Sequence, residues 1–97
     1  MEISNVRIWL VNDIKLKAYV SIVINEEFMV RDIKIISTDK GLLIAMPTKK
    51  IKNDTYMDVA HPINTNTRIQ IEKAILEVYN KKITSKDFNE QENTSEN

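Results

Sequence analysis

No cysteine occurs among the 97 residues, so the chain has neither disulfides nor thiolate metal ligands, and its fold must rest on packing. The single histidine, His61, cannot by itself make a usual zinc site. No metal, cofactor or small-molecule substrate is therefore expected. No apolar run approaches the ~18 residues of a membrane span. The N-terminus starts with an alternating segment where a signal peptide would need a basic start and an apolar centre, so a cytoplasmic protein without membrane contact is expected. No sign of charge prevails, fourteen basic residues facing fourteen acidic ones, which at first sight argues against a nucleic-acid partner. A chain this short allows one domain, one modest core and little room for a catalytic cleft.

The charge balance hides an asymmetry. From Thr84 onward there is one lysine against four carboxylates, Asp87, Glu90, Glu92 and Glu96, leaving thirteen basic and ten acidic residues in positions 1–83, a net of +3 by subtraction. Positions 1–83 are expected to form the domain. Positions 84–97, with only Phe88 to bury, are expected to be an acidic, disordered tail whose charge can compete with phosphate for the basic surface.

Val6, Ile8 and Leu10 alternate with Arg7 and Trp9, the pattern of a strand with one buried face. After Asn12-Asp13, the set Leu16, Ala18, Val20, Ile22 and Ile24 alternates with Lys15, Lys17, Tyr19, Ser21 and Val23. A third strand is predicted from Phe28 to Ile36, its apolar phase shifting near Asp32 as at a bulge. Gly41, the only glycine, is expected to supply the positive backbone angle of the next turn. Leu42 to Met46 is an uninterrupted apolar run, which predicts a strand covered on both faces. A short fifth strand is predicted over Tyr56–Ala60, ended by His61-Pro62. The covering element is a helix in which Ile71, Ala74, Ile75, Val78 and Tyr79 recur on one face, capped by Thr65 or Asn66 and supported by Glu77 with Lys81. The expected fold is α+β, a small antiparallel sheet of about five strands followed by a C-terminal amphipathic helix, because connections this short cannot provide parallel crossovers. So small a sheet has open edges, and pairing them across a two-fold axis predicts a homodimer.

Two blocks in the middle of the chain identify its kin: Gly41-Leu42-Leu43-Ile44-Ala45-Met46-Pro47 and Asp58-Val59-Ala60-His61-Pro62-Ile63-Asn64. With Phe28-Met29-Val30-Arg31-Asp32-Ile33 upstream and an Arg68-bearing helix downstream, they resemble the stage V sporulation protein G (SpoVG) family of small bacterial regulators, over roughly residues 1 to 80. The resemblance implies a dimeric protein that binds DNA, and RNA as well, and regulates genes for sporulation, septation, surface structures and virulence.

Thr48-Lys49-Lys50-Ile51-Lys52-Asn53-Asp54 places three lysines in four positions on a polar link between two strands. Ammonium groups near phosphates release counterions and give affinity without sequence information, whereas base discrimination needs arginine, asparagine or glutamine reaching a groove. On the residues alone a solvated loop that confers solubility is the simpler account. The resemblance reverses that preference, since the stretch aligns with the basic link that follows Met-Pro in the family and is implicated there in nucleic-acid binding. The family's link has the form Ser-Lys-Arg-Thr-Pro-Asp-Gly, with Arg or Lys before the Asp58 position. Here Lys50 stands without a Pro-Gly turn and Met57 precedes Asp58, a change that disfavours bidentate base readout.

A second surface is the exposed side of the first strands, where Arg7, Lys15 and Lys17, with Arg31 and Lys34, continue the positive stripe around Trp9 and Tyr19. The aromatics can stack on unpaired bases, or pack against each other or in a dimer contact, the simpler alternative. Arg68 resembles an arginine common at this point in relatives, and either contacts phosphate or hydrogen-bonds a neighbouring loop. The nucleic-acid-binding set is thus Lys49, Lys50, Lys52, Arg68, Arg7 and Lys17.

His61 with Asp58 suggests a general base, but on a strand positions 58 and 61 point to opposite faces, and no motif places a nucleophile beside them. His61 and Asn64 are expected instead to hydrogen-bond backbone groups at the turn that launches the helix, with Asp58 in a turn or paired to Arg31. The leading function is a dimeric nucleic-acid-binding regulator of sporulation and septum formation. The alternative is an adaptor that binds a division or transcription protein through strand edges or the helix surface. An enzyme would need a perturbed base in a pocket, and the sequence offers none.

Overall fold

A computed structural model of the chain describes residues 1–88. Four strands, β1 (Ile3–Leu10), β2 (Leu16–Ile24), β3 (Phe28–Thr38) and β4 (Gly41–Ala45), form an antiparallel sheet in sequence order. Two further strands, β5 (Thr48–Lys50) and β6 (Tyr56–Asp58), pair only with each other, and helix α1 (Thr65–Phe88) ends the described chain. The architecture is the expected α+β. The helix continues through positions 84–88, and the rest of the expected acidic tail, 89–97, lies outside the described residues.

Alternation decides which side of the sheet is buried. Ile8, Ala18, Val20, Ile22, Ile33, Ile35 and Ile44 face α1, whose Ile71, Ile75 and Tyr79 are buried against them. Burial in this core pushes the Tyr79 phenol above the usual tyrosine range. The phase shift in β3 is a bulge: Val20 pairs Ile33 and Ile22 pairs Val30, so Arg31 and Asp32 together oppose Ser21, and Asp32 takes a left-handed φ of 63°. Without that extra residue, Ile33 and Ile35 would point away from the helix.

Leu16 is a correction to the alternating reading. A second register shift pairs Leu16 with Ile36 and Ala18 with Ile35. Because Ile35 is buried toward the helix, its neighbour Ile36, and with it Leu16, lies on the opposite face. A one-residue slip moves a side chain across the sheet. The fourth strand corrects a second expectation. Only Ile44 of β4 is buried. Leu43 pairs Ile36 and so faces the side without the helix, while Leu42, on the helix side, stays 41% exposed because β4 is a sheet edge and the helix packs chiefly against β1, at the other edge. The predicted fifth strand is shorter than expected, and it belongs to a separate ribbon with β5, extended by the Val59 N–H donating to the Pro47 carbonyl at 2.7 Å.

The turns explain how a chain with one glycine reverses so often. Gly41 has φ 120°, as expected, and the Thr38 hydroxyl donates to its carbonyl at 2.7 Å. Between β2 and β3, Asn25 and Glu26 adopt φ 53° and 58° while Glu27 N–H donates to the Ile24 carbonyl at 3.0 Å. This turn is fastened to the start of β1: Asn25 N–H donates to the Glu2 carbonyl at 2.7 Å, Glu2 N–H to Asn25 Oδ1 at 2.8 Å, and Glu26 N–H to Ser4 Oγ at 2.8 Å. Between β1 and β2, Asp13 Oδ2 accepts the N–H groups of Leu16 and Lys15 at 3.0 Å each. Those bonds hold its carboxyl below the usual aspartate range.

Two stability effects are expected. Asparagine tolerates the left-handed region but glutamate does not, and the fastening uses only the backbone N–H of Glu26, so Glu26→Gly should raise unfolding free energy by about 1 kcal/mol in a urea titration. Asp13 has a folded pKa below its unfolded one, so its contribution is present above the unfolded value, about pH 4, and is lost as pH falls through the folded value. Asp13→Asn, which can still accept both N–H groups, should therefore lose less stability than the wild type between pH 5 and about pH 2.

Candidate nucleic-acid interface

The predicted binding residues fall on three separate surfaces. Lys49 and Lys50 lie on β5, where they pair with Met57 and Tyr56, and Lys52 sits in the turn beyond. Every residue of β5 and β6 is exposed. Successive strand residues face opposite ways, so Lys49 and Lys50 are displayed on opposite sides of the ribbon. Asn53 and Asp54 close the turn at φ 58° and 59°, with Thr55 N–H donating to the Lys52 carbonyl at 3.1 Å and Ile51 N–H to the Thr55 carbonyl at 2.7 Å. That tight turn brings the Asp54 carboxylate to 2.9 Å from Lys50 Nζ. Lys50 is thus partly neutralised within the hairpin, while Lys49 and Lys52 have no such partner among the described residues.

Arg7 and Lys17 lie on the face of the main sheet that the helix leaves open. Arg7 pairs Ser21 across β1 and β2, and Lys17 Nζ donates to the Asp13 carbonyl at 3.2 Å. Arg68 is on the other side, in the first turn of α1, its guanidinium 4.0 Å from Glu72. A single chain therefore carries the hairpin lysines on one ribbon, Lys49 and Lys50 on opposite sides of it, and brings Arg7 and Lys17 to one face of the main sheet, but puts Arg68 on the opposite layer from the latter pair.

The open face holds more than its cations. Trp9 pairs Tyr19, Tyr19 pairs Lys34 and Lys34 pairs Ala45, which makes a straight row across all four strands. Trp9 and Tyr19 are 41% and 42% exposed. Leu16, Ile36 and Leu43 form a second row beside it. The alternation of β1 and β2 displays the two aromatics to the outside, but only the cross-strand register shows that they are neighbours and that Lys34 follows them.

At one end of the helix side an apolar groove of about 330 Å³ is lined by Met1, Phe28, Val30, Met46, Pro62 and Ile63, among others. Phe28 is 64% and Ile63 88% exposed. Sequence periodicity does not mark this groove, because it is assembled from the N-terminus, β2, β3, the link after β4, residues 60–63 and the start of α1.

His61 and Asn64 hydrogen-bond the backbone at the helix start as expected. His61 Nδ1 lies 3.0 Å from the Pro62 carbonyl. Asn64 Oδ1 accepts the Thr67 N–H at 2.7 Å, and its carbonyl accepts the Arg68 N–H at 3.2 Å, so Asn64 is the cap, in place of Thr65 or Asn66. The anticipated Arg31–Asp58 ion pair does not form: the ion pairs among the described residues are Lys50–Asp54 and Arg68–Glu72. Among the described residues no three potential ligands gather as a metal site, and no helix is long and apolar enough to cross a membrane.

Comparison with known proteins adds an independent line. A family model described as SpoVG matches residues 1–81. The chain is 49% identical over 83 residues to a protein of an Anaeromyxobacter species, with 86% of each covered. It is 51% identical over 79 residues to one from Myxococcus xanthus, covering 81% of this chain and 80% of the relative. Against a Finegoldia magna protein it is 41% identical over 97 residues, covering 99% and 90%. All three relatives carry names that assign them, provisionally, to septation as SpoVG proteins.

The cap assignment has a direct check. Asn64→Ala should cost about 1 kcal/mol of stability, whereas Thr65→Ala and Asn66→Ala should each stay within about 0.5 kcal/mol of the wild type, as read by thermal or urea unfolding.

Proposed function

The chain belongs to the SpoVG family, and from that premise we propose that it binds DNA, and RNA as well, as a homodimer, and so influences gene expression linked to sporulation and division-septum formation. The observation that carries this reading is the β5–β6 hairpin. A ribbon with every strand residue exposed contributes little to a core, so its three lysines stand where a polyanion can reach them. The net +3 of positions 1–83, thirteen basic less ten acidic residues, supports attraction over distance. Lysine on a mobile stem suits phosphate contact more than base readout, so the hairpin is assigned affinity and register. Arg68, sharing its charge with Glu72, is assigned a lesser part.

Dimerisation is supported by two adjoining surfaces. Among the described residues the outer edge of β4 leaves a row of N–H and C=O groups without a strand partner, and Met46, directly after it, leads into the apolar groove. A second copy pairing along β4 would satisfy the edge and cover exposed apolar side chains in one step. The same groove favours the second reading, an adaptor that docks an apolar segment of a division or transcription protein there without nucleic-acid contact.

A salt titration separates the two. Duplex DNA binding should weaken steeply with salt, and the Lys49→Ala, Lys50→Ala, Lys52→Ala triple variant should lower the slope of log affinity against log salt by about 2 per hairpin engaged. Most of the loss should appear in the Lys49→Ala, Lys52→Ala double variant, since Asp54 already offsets Lys50. Duplex affinity unchanged in the triple variant would remove the hairpin as the site.

A further inference from the structure

We propose that the open face of the four-stranded sheet is a platform for single-stranded nucleic acid, with one base stacked on Trp9, a second on Tyr19, and the strand's phosphates held by Arg7, Lys17 and Lys34. This deepens the nucleic-acid reading above and rests on it, but it assigns a different surface and a different form of polymer from the hairpin lysines.

Three observations carry it. The first is the register. Trp9, Tyr19 and Lys34 are direct cross-strand partners in one row, and neighbouring strands lie about 4.8 Å apart. Two aromatic rings at that spacing, both partly exposed, offer adjacent flat surfaces, and every base has a face to lay on them. The second is charge. Arg7 lies two residues from Trp9 on β1, Lys17 two residues from Tyr19 on β2, and Lys34 closes the row on β3. The cations thus border the aromatic pair along and across the strands, as a backbone running over stacked bases requires. The carboxylate among this face's strand residues is Asp32, at the bulge, and the Asp13 carboxylate, in the turn before β2, lies near enough to Lys17 to feel its charge. The third is relief. A sheet face with no helix over it is flat enough for bases splayed out of a single strand, whereas a duplex keeps its bases paired and shows this face only phosphates.

Trp9 is the only tryptophan, so its emission reports on this face alone. The test titrates the whole chain with ten-nucleotide oligo(U) and oligo(dT), and with a duplex of the same length, following Trp9 fluorescence and, separately, anisotropy of labelled oligonucleotide. Both single strands should quench Trp9, and the duplex should bind without quenching it. Trp9→Ala and Tyr19→Ala should each weaken single-strand binding about tenfold while duplex binding holds, and Trp9→Phe should recover most of the loss. The tighter of oligo(U) and oligo(dT) identifies RNA or DNA as the natural strand. Circular dichroism and thermal unfolding of each variant verify that the core, which neither side chain enters, is intact. Single strands that bind without altering Trp9 emission, or that bind both alanine variants as tightly as the wild type, overturn the platform and leave the hairpin reading standing. A Trp9 emission that shifts to the blue with protein concentration alone, and a Trp9→Ala variant of lower mass in solution, would make this face a contact between copies and overturn the platform too. Failure of every oligonucleotide, duplex included, to bind the wild type overturns both.

Discussion

One helix can cover only one face of a four-stranded sheet, and the rest of this molecule follows from which face is covered. Ile71, Ile75 and Tyr79 seal the side bearing Ile8, Val20, Ile22, Ile33 and Ile35, and area removed from water is the main favourable term in a domain this small. The other side has nothing to spend on a core. Its row of Trp9, Tyr19 and Lys34 and its flanking Arg7 and Lys17 are therefore free to be chosen for contact with something else. The position of α1 nearer β1 than β4 has a second effect, leaving Leu42 and the β4 edge uncovered on the far side. One packing decision thus separates the molecule into a structural layer and an available one.

Backbone conformation is the second constraint. With a single glycine, the chain places Asn25, Glu26, Asp32, Asn53 and Asp54 in the left-handed region. Four of the five are Asn or Asp, which tolerate it because their short side chains can bond locally. Two of these positions are also where the chain's faces are set. Asp32 restores the phase of β3 so that Ile33 and Ile35 reach the core, and Asp54 swings back far enough to meet Lys50. The turn chemistry that shapes the hairpin is therefore also what lowers the effective charge of one of its lysines.

Much of this was legible in the residues. Strict alternation in β1 and β2, the phase shift near Asp32, the turn at Gly41 and the helical recurrence from Ile71 to Tyr79 each follow from a period that one buried face imposes. The misreadings share a cause. Alternation groups Leu16 with Ala18 and Val20 because it assumes an unbroken register, and the slip between Leu16 and Ala18 is a property of the pair of strands, not of β2. Leu42 to Met46 reads as doubly buried because apolarity cannot say whether a strand is central or at an edge. Thr65 and Asn66 are as suitable for a cap as Asn64, and only the chain path chooses. At the site, sequence named the lysines and both aromatics. The adjacency of Trp9, Tyr19 and Lys34, the Lys50–Asp54 pair and the groove that gathers Phe28, Met46 and Ile63 all depend on segments distant in the chain.

The strands of the main sheet lie side by side in the order in which they are made, and the helix that covers them follows later in the chain. During synthesis β1 to β4 can zip together as each leaves the ribosome, since every pairing joins sequence neighbours. Their shared apolar side stays bare until α1 follows and its Gln70 amide reaches back to the Met1 carbonyl, 69 positions away at 2.7 Å. The nascent chain is thus most exposed to self-association while a nearly finished sheet still awaits its lid.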